Sequence, residues 1–280
     1  MTIRVIKATL LSVLLLGSSA KLQAKDVESV SPGDWQISLA AGYGALENPR
    51  AKVKNISTWV LPSWYYYGED FYVENFTLGY SLYESNNFIV DLQTRFNEDG
   101  FFFEFDGLNK LLLSDILGYT PVKLPLNPKA VKFEDIERNL SYLGGINATW
   151  VARYLDVSLG YYHDITGLHQ GNEIQLRVKH SQRFQWGALG FEIGAIRKSD
   201  NLIGYYYDLT SEEQGPLRTN FEPKPTTNLH VRSVINVPLM EQVNFVGILE
   251  YTWLGQGITD SVLIDKDSYA SGFVGISYAF

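Results

Sequence analysis

ITDSVLIDKDSYASGFVGISYAF, residues 258–280, is the stretch whose reading decides the fold. From Ser268 onward it alternates. Strand side chains switch faces at every residue, so Ser268, Ala270, Gly272, Val274, Ile276, Tyr278 and Phe280 share one face, and Tyr269, Ser271, Gly275, Ser277 and Ala279 the other. One face is apolar and the other is small or polar. A last strand finishing Val274, Ile276, Tyr278, Phe280 resembles the closing strand of outer-membrane barrels, and that resemblance implies that the assembly machinery of that membrane reads it. A soluble sandwich strand would alternate in the same way, so the rest of the chain has to decide.

Residues 1–24 read as a cleaved secretory signal peptide. Arg4 and Lys7 open it, Ala8–Leu16 is its apolar run, and small residues precede cleavage after Ala20 or Ala24. A membrane anchor needs roughly 20 apolar residues, and Lys21 arrives too soon. Residues 25–280 are then expected to form one domain. Removing Arg4, Lys7 and Lys21 moves the net charge from −8 to −11, which argues against a nucleic-acid partner. The chain has no cysteine, so neither disulfides nor a thiolate metal site can hold it.

Aromatic residues make up 14% of the chain, yet no later segment resembles a membrane helix. A mature chain seated in a bilayer then has only a closed β-barrel to satisfy its backbone. Its length suits about twelve antiparallel strands of about ten residues. Alternating segments appear at Trp35–Leu46, Thr58–Tyr67, Asp70–Tyr83, Asn87–Arg95, Phe101–Asp106, Asn139–Trp150, Tyr154–Asp164, Gly171–Arg183, Trp186–Ile196, Thr226–Pro238, Val243–Leu254 and Ser268–Phe280. In Gly171–Arg183, for example, Ile174, Leu176 and Val178 oppose Glu173, Gln175, Arg177 and Lys179.

Barrels of this kind join strands by short periplasmic turns and longer outer loops. The expected inner turns are Gly68-Glu69, Asn97–Gly100, Val151–Arg153, Phe184-Gln185 and Leu239–Gln242. The expected outer loops are 47–57, 84–86, 107–138, 165–170, 197–225 and 255–267. This assignment makes Phe101–Asp106 cross the membrane and leaves Leu202–Asp208 in an outer loop. Trp35, Trp59, Trp64, Trp150, Trp186 and Trp253 fall near strand ends, where aromatic girdles sit.

Chemistry is sparse. His163, His169, His180 and His230 are the only histidines, and none lies in a nucleophile or metal-helix motif. Asp260, Asp265 and Asp267 cluster in the last outer loop but lack the glycine of a calcium loop, so they read as a solvated acidic loop. No catalytic, cofactor or metal residue is assigned. Asp91, Arg95, Glu104, Arg177, Lys179, Glu192, Arg232 and Glu250 are expected to face the lumen. Their mixed signs suit either a water-filled channel or a plug of salt bridges.

Three stretches carry a family resemblance. TWVLPSWYYYGEDFYVENFTLGYSLY (58–83) resembles a Pro-containing strand, a Tyr-rich end, a Gly-acid-Asp turn and an aromatic strand. IGYYYDLTSEE (203–213) is similar to a tyrosine-pair segment followed by an acidic one, although Asp208 stands where Gly is usual. Thr259, Asp260, Ser261, Asp265 and Lys266 match a closing Thr-Asp-Ser…Asp-Lys loop, with Val262 where Pro is usual. Segment 107–138 is longer than the pattern. The family is the MltA-interacting protein/OmpV family of outer-membrane proteins. The resemblance implies an outer-membrane barrel without enzymatic activity, surrounded by outer-membrane lipid. It implies a scaffold that brings a lytic transglycosylase to a penicillin-binding protein in murein assembly. Other members resemble porins or adhesins, which leaves a passive channel for small solutes as the alternative.

Overall fold

The computed structural model describes residues 32–103, 136–214 and 220–280, so the expected signal peptide and Glu104 lie outside the described residues. Its strands are β1 (Trp35–Leu46), β2 (Ile56–Tyr67), β3 (Phe71–Glu74), β4 (Thr77–Glu84), β5 (Phe88–Phe96), β6 (Tyr142–Val151), β7 (Asp156–Asp164), β8 (Asn172–Phe184), β9 (Gly187–Lys198), β10 (Thr226–Met240), β11 (Val243–Trp253) and β12 (Ser268–Ala279). They close into one antiparallel barrel of twelve strands. The seam is β12 on β1, with Ser38 opposite Ala279 and Leu46 opposite Ser271. The terminal N–H of Phe280 donates to the Ile37 carbonyl at 2.9 Å.

Alternation sorts the wall as the sequence predicts, but with the polarity of a membrane protein. On β8, Ile174 and Leu176 are 43% and 45% exposed, while Glu173 and Gln175 are 3% and 1%. Leu92, Leu159, Phe191, Ile193, Leu229, Leu249, Val274, Ile276 and Tyr278 continue the outward apolar surface around the barrel. A soluble domain buries such residues; in a bilayer they are the solvated face.

Two local expectations are corrected. Asp70–Tyr83 is not one crossing but the hairpin β3–β4. Asn75 at its crest takes φ 52°, a left-handed conformation that Asn tolerates. Its N–H donates to the Trp64 carbonyl at 2.8 Å, and its side-chain oxygen accepts the Trp64 N–H at 3.0 Å. Phe101–Asp106 is not a crossing either: residues 98–103 are helical. Asn97 starts that helix by accepting the Asp99 N–H on its side-chain oxygen at 2.8 Å. An Asn followed by acids is a helix start, and the alternating phenylalanines after it masked that signal.

The two corrections cancel in number and parity. As a result 84–86 lies at the short-turn end and Asn97–Gly100 at the loop end, the reverse of what was expected. The loop 47–55 and the connections from β5 to β6, β7 to β8, β9 to β10 and β11 to β12 gather at the loop end, and the other end carries only short turns. Leu202–Asp208 sits in a loop as expected, mostly as the helix Asp200–Tyr207.

The closing seam gives a test. Gly42 opposes Gly275, and a Cβ on Gly42 would lie 2.1 Å from the Val274 carbonyl oxygen. That contact is with backbone, so relief means moving β1 off β12. Gly42→Val should destabilise the folded barrel by about 1–3 kcal/mol. Heat-modifiable gel mobility over a temperature series will show this as a lower midpoint, and an unchanged midpoint would contradict the register.

Candidate functional site: a charge-lined lumen under an apolar cap

The lumen holds a cavity of about 920 Å³. Asp91, Arg95, Arg177, Lys179, Glu192, Arg232 and Glu250, the charges assigned inward from sequence, all line it. Four of them come as neighbours of opposite sign. Lys179 lies 3.4 Å from Glu192, whose other oxygen is 2.9 Å from Nε2 of His230, and Arg232 is 3.9 Å from Glu250. His230 is part of this lining; nothing in its surroundings marked it out in the sequence beyond its polar face. The cavity reaches the turn-end rim at Pro32, Gly68, Glu69, Asp70 and Glu84.

At the loop end the cavity meets an apolar cap. Phe102 and Phe103 from helix 98–103, Leu202, Ile203, Tyr206 and Tyr207 from Asp200–Tyr207, and Ile258, Leu263 and Ile264 from the last loop form one buried cluster. These residues come from loops rooted on opposite sides of the barrel, so the cluster spans the mouth. Arg50 clamps it from the β1–β2 loop. Its guanidinium donates to the carbonyls of Phe102 and Ile136, each at 3.0 Å, and lies 4.0 Å over the Phe103 ring. Arg138 does the same on the far side, with paired bonds to Glu213 at 2.6 and 2.8 Å and further bonds to the Tyr205 and Asp208 carbonyls. Burial alone would raise the Glu213 carboxyl; the Arg138 hydrogen bonds outweigh it and hold the group below its ordinary value.

A buried polar network joins the cap to the wall. Asp99 of helix 98–103 accepts from Lys198 Nζ of β9 at 2.5 Å and from the Tyr207 hydroxyl at 2.6 Å. Lys198 is 4.0 Å from Glu173, which accepts from Asn97 and Gln175 at 2.9 Å each. Gln175 in turn accepts from Arg95 at 2.6 Å, and Arg95 pairs with Glu98. Burial first, then the Asp99 charge, pushes the Tyr207 hydroxyl well above its ordinary value, so it remains a donor. Desolvating such ions costs several kcal/mol each, which the opposite charges and hydrogen bonds of this network offset.

One arrangement resembles a hydrolytic triad: His169 Nε2 is 3.0 Å from Ser141 Oγ, and Asp164 Oδ2 is 3.9 Å from His169 Nδ1. The hydrogen bonds place it otherwise. Nδ1 accepts the Gly171 N–H at 2.9 Å, so the proton sits on Nε2 and is donated to Ser141. A general base needs a free Nε2 toward the serine. Asp164 is occupied by the N–H groups of Thr166, His169 and Gln170 and by the Thr166 hydroxyl. Tyr206 also donates to Ser141. All three side chains are buried. The triple therefore staples the β7–β8 loop to the cap. Burial lowers the His169 pKa and outweighs the opposing Asp164 charge.

The family-motif residues of the last loop fall at the cap's edge. Ser261 is buried, donates to the Tyr207 carbonyl at 2.5 Å and accepts the Leu263 N–H at 3.1 Å. Asp265 donates its N–H to the Pro49 carbonyl. Thr259 closes the turn of helix Gln256–Thr259; Asp260 and Asp265 are exposed and Lys266 is half-buried. Among the described residues no cluster of metal-ligating side chains forms. Val274, Ile276, Tyr278 and Phe280 line the outer face of the closing strand and are exposed.

A closed barrel, apolar outside and charged within, defines an outer-membrane β-barrel protein located in the cell outer membrane. The chain belongs to the MltA-interacting protein (MipA) family, whose model matches residues 37–280. It is 23% identical over 248 residues to the provisionally named outer membrane protein YiaT of Escherichia coli O157:H7 and of strain K12, covering 88% of this chain and 91% of the relative. Among solved structures it is similar to the COG4313 outer membrane channel from Pseudomonas putida F1, with TM-score 0.39, 9% identity, and 93% and 100% of the two chains covered. It is also similar to OprD from Pseudomonas aeruginosa, with TM-score 0.36, 8% identity, and 88% and 65% covered. Likeness at that level carries no functional inference.

Two tests follow from the cap. Lys198→Ala removes one partner of a buried pair and should loosen the cap by about 3–5 kcal/mol. Hydrogen exchange of 199–209 should rise steeply while β10 and β11 stay protected; unchanged exchange would show that the network does not hold the cap. Because folding lowers the His169 pKa, its contribution is complete above about pH 6.5 and is lost as the pH falls further. Protection of 165–171, taken relative to the intrinsic exchange rate at each pH, should therefore fall between pH 7 and pH 5, and His169→Gln should flatten that response.

Proposed function

We propose that the protein is a conduit closed at rest: a polar chamber serving the periplasmic side, sealed outward by the apolar cap, with no covalent chemistry of its own. The observation that carries this is the buried cluster over a charge-lined cavity. A passive porin needs a continuous aqueous path, whereas the cap puts Leu202, Ile203, Ile258 and Leu263 across it. Alternating charges beneath suit small polar solutes that carry both signs. A His169 that donates to Ser141 and so cannot take its proton supports a non-enzymatic role.

A murein scaffold linking a lytic transglycosylase and a penicillin-binding protein is the second reading. It is supported by the family's description as MltA-interacting and by a barrel that need not conduct. The short turns at 68–70, 85–87, 152–155, 185–186 and 241–242 offer a partner little area, since a stable interface buries about 800 Å² per side.

Planar-bilayer recording separates the two. Wild-type protein should be silent or nearly so, and Lys198→Ala should give discrete conductance steps. Large ohmic steps from wild type would overturn the closed state. Silence from both, with capture of murein enzymes by the folded barrel, would favour the scaffold.

A further inference from the structure

The barrel wall is not of even height. β3 has four residues and β4 eight, and their crest at Asn75-Phe76 meets β2 at Trp64. β2 runs on to Ile56, still paired to β1 as far as Leu46. On its other edge, among the described residues, only Tyr65, Tyr66 and Tyr67 pair with β3. About 25 Å of strand edge therefore borders a gap, with the hairpin crest below it and the end of β5 at Phe96 beyond. The exposure pattern registers this: Ser57 to Ser63 are all exposed, whereas β8 keeps its alternation.

An open strand edge in lipid is what closed barrels exist to avoid. Here the edge is chemically prepared for exposure. Trp64 directs its N–H and C=O to Asn75, so Val60 and Pro62, at the same parity, direct theirs to the same side. The Thr58 hydroxyl donates to the Val60 carbonyl at 2.7 Å and accepts the Val60 N–H at 3.3 Å. Pro62 has no N–H to leave unpaired.

Its rim is aromatic and its depth is polar. Trp64 and Phe76 rings are 5.0 Å apart, Phe76 and Phe96 5.3 Å, and Phe96 and Phe101 6.3 Å. Phe76, Phe96 and Phe101 also line the lumen cavity, which joins the gap to the chamber. Within the chamber Asp91 Oδ1, Asn147 Oδ1 and Arg177 Nε have no hydrogen-bond partner, and Asp91 and Asn147 are 7% and 4% exposed. A carboxylate, an amide and a guanidinium with spare capacity match a head group of both charges.

We propose that the gap is a lateral portal through which an amphiphile with a zwitterionic head and an apolar chain passes between bilayer and chamber. The aromatic rim receives the chain, and Asp91, Asn147 and Arg177 receive the head. The proposal rests on the closed-conduit reading and gives its direction of entry: the cap blocks the axial route outward, and among the described residues the wall is open sideways.

The test is photo-crosslinking in nanodiscs with a lysophosphatidylcholine bearing a diazirine at the head-group end of its chain, and adducts mapped by mass spectrometry. Adducts are expected on Phe101, Gln93 and Tyr162, which line the chamber, as well as on the outer surface. Asp91→Asn with Arg177→Met should cut the chamber adducts roughly tenfold, the loss of charged hydrogen bonds, and leave those on Leu78 and Ile193 unchanged. Adducts confined to outward residues would overturn the portal; chamber adducts indifferent to the double substitution would overturn the head-group site. Conductance reports on the cap alone. A conducting wild type with chamber adducts would remove the resting-closed reading and leave the portal.

Discussion

A backbone N–H or C=O in hydrocarbon finds its partner within the chain or goes without, at several kcal/mol per group. The rest of the structure depends on that constraint. It makes the chain close β12 onto β1, fixes the antiparallel register around the wall, and forces side chains to alternate between lipid and lumen. Once the outer face is apolar, the charged residues of each strand have nowhere to go but inward. The lumen's mixed lining is thus a consequence of closure before it is a functional choice. The exception is equally informative. Where β2 leaves its neighbour, the sequence supplies a hydroxyl at Thr58, a proline at Pro62 and an amide at Asn75, each relieving a group that the sheet does not serve.

Charge inside the barrel then creates the second problem, of how to seal a polar tube. The solution is an apolar core built outside the wall, from loops that could not bury it alone. Leu202, Ile258 and Phe102 come from connections far apart in sequence, and each is useful only with the others present. Asp99, Lys198 and Tyr207 fix that core to the barrel. A buried ion pair adds little net stability over an apolar replacement, so its role here is better seen as registry: it holds one helix over one strand end. The same network defines where the cavity stops, since Arg95, Gln175 and Glu173 belong to both the wall and the cap's anchorage.

The barrel was legible because its signal is repeated. Period-two alternation over many segments, the aromatic end and the short turns each pointed to closure, and the inward charges followed from parity at each strand. What was not legible lay where a local rule competed with the pattern. Phe101, Phe103 and Phe105 alternate as a strand does, yet Asn97 followed by Glu98 and Asp99 starts a helix. Asp70–Tyr83 reads as one aromatic strand, and only Asn75 marks the turn. The cap could not be read at all, because its contacts join residues far apart in the chain, Arg50 with Phe102 and Phe102 with Tyr269 among them, and no local spacing encodes them. Ser141 and His169 meet for the same reason, and only their hydrogen-bond directions show that they are structural.

The central claim is that the chamber is sealed outward and open toward the periplasm. The chain has no cysteine, so a single one at Glu250 on the chamber wall can be probed alone with a membrane-impermeant maleimide. In intact cells Glu250→Cys should remain unlabelled, and admitting the reagent to the periplasm should label it fully. Rapid labelling from outside intact cells would contradict the cap and the account built on it.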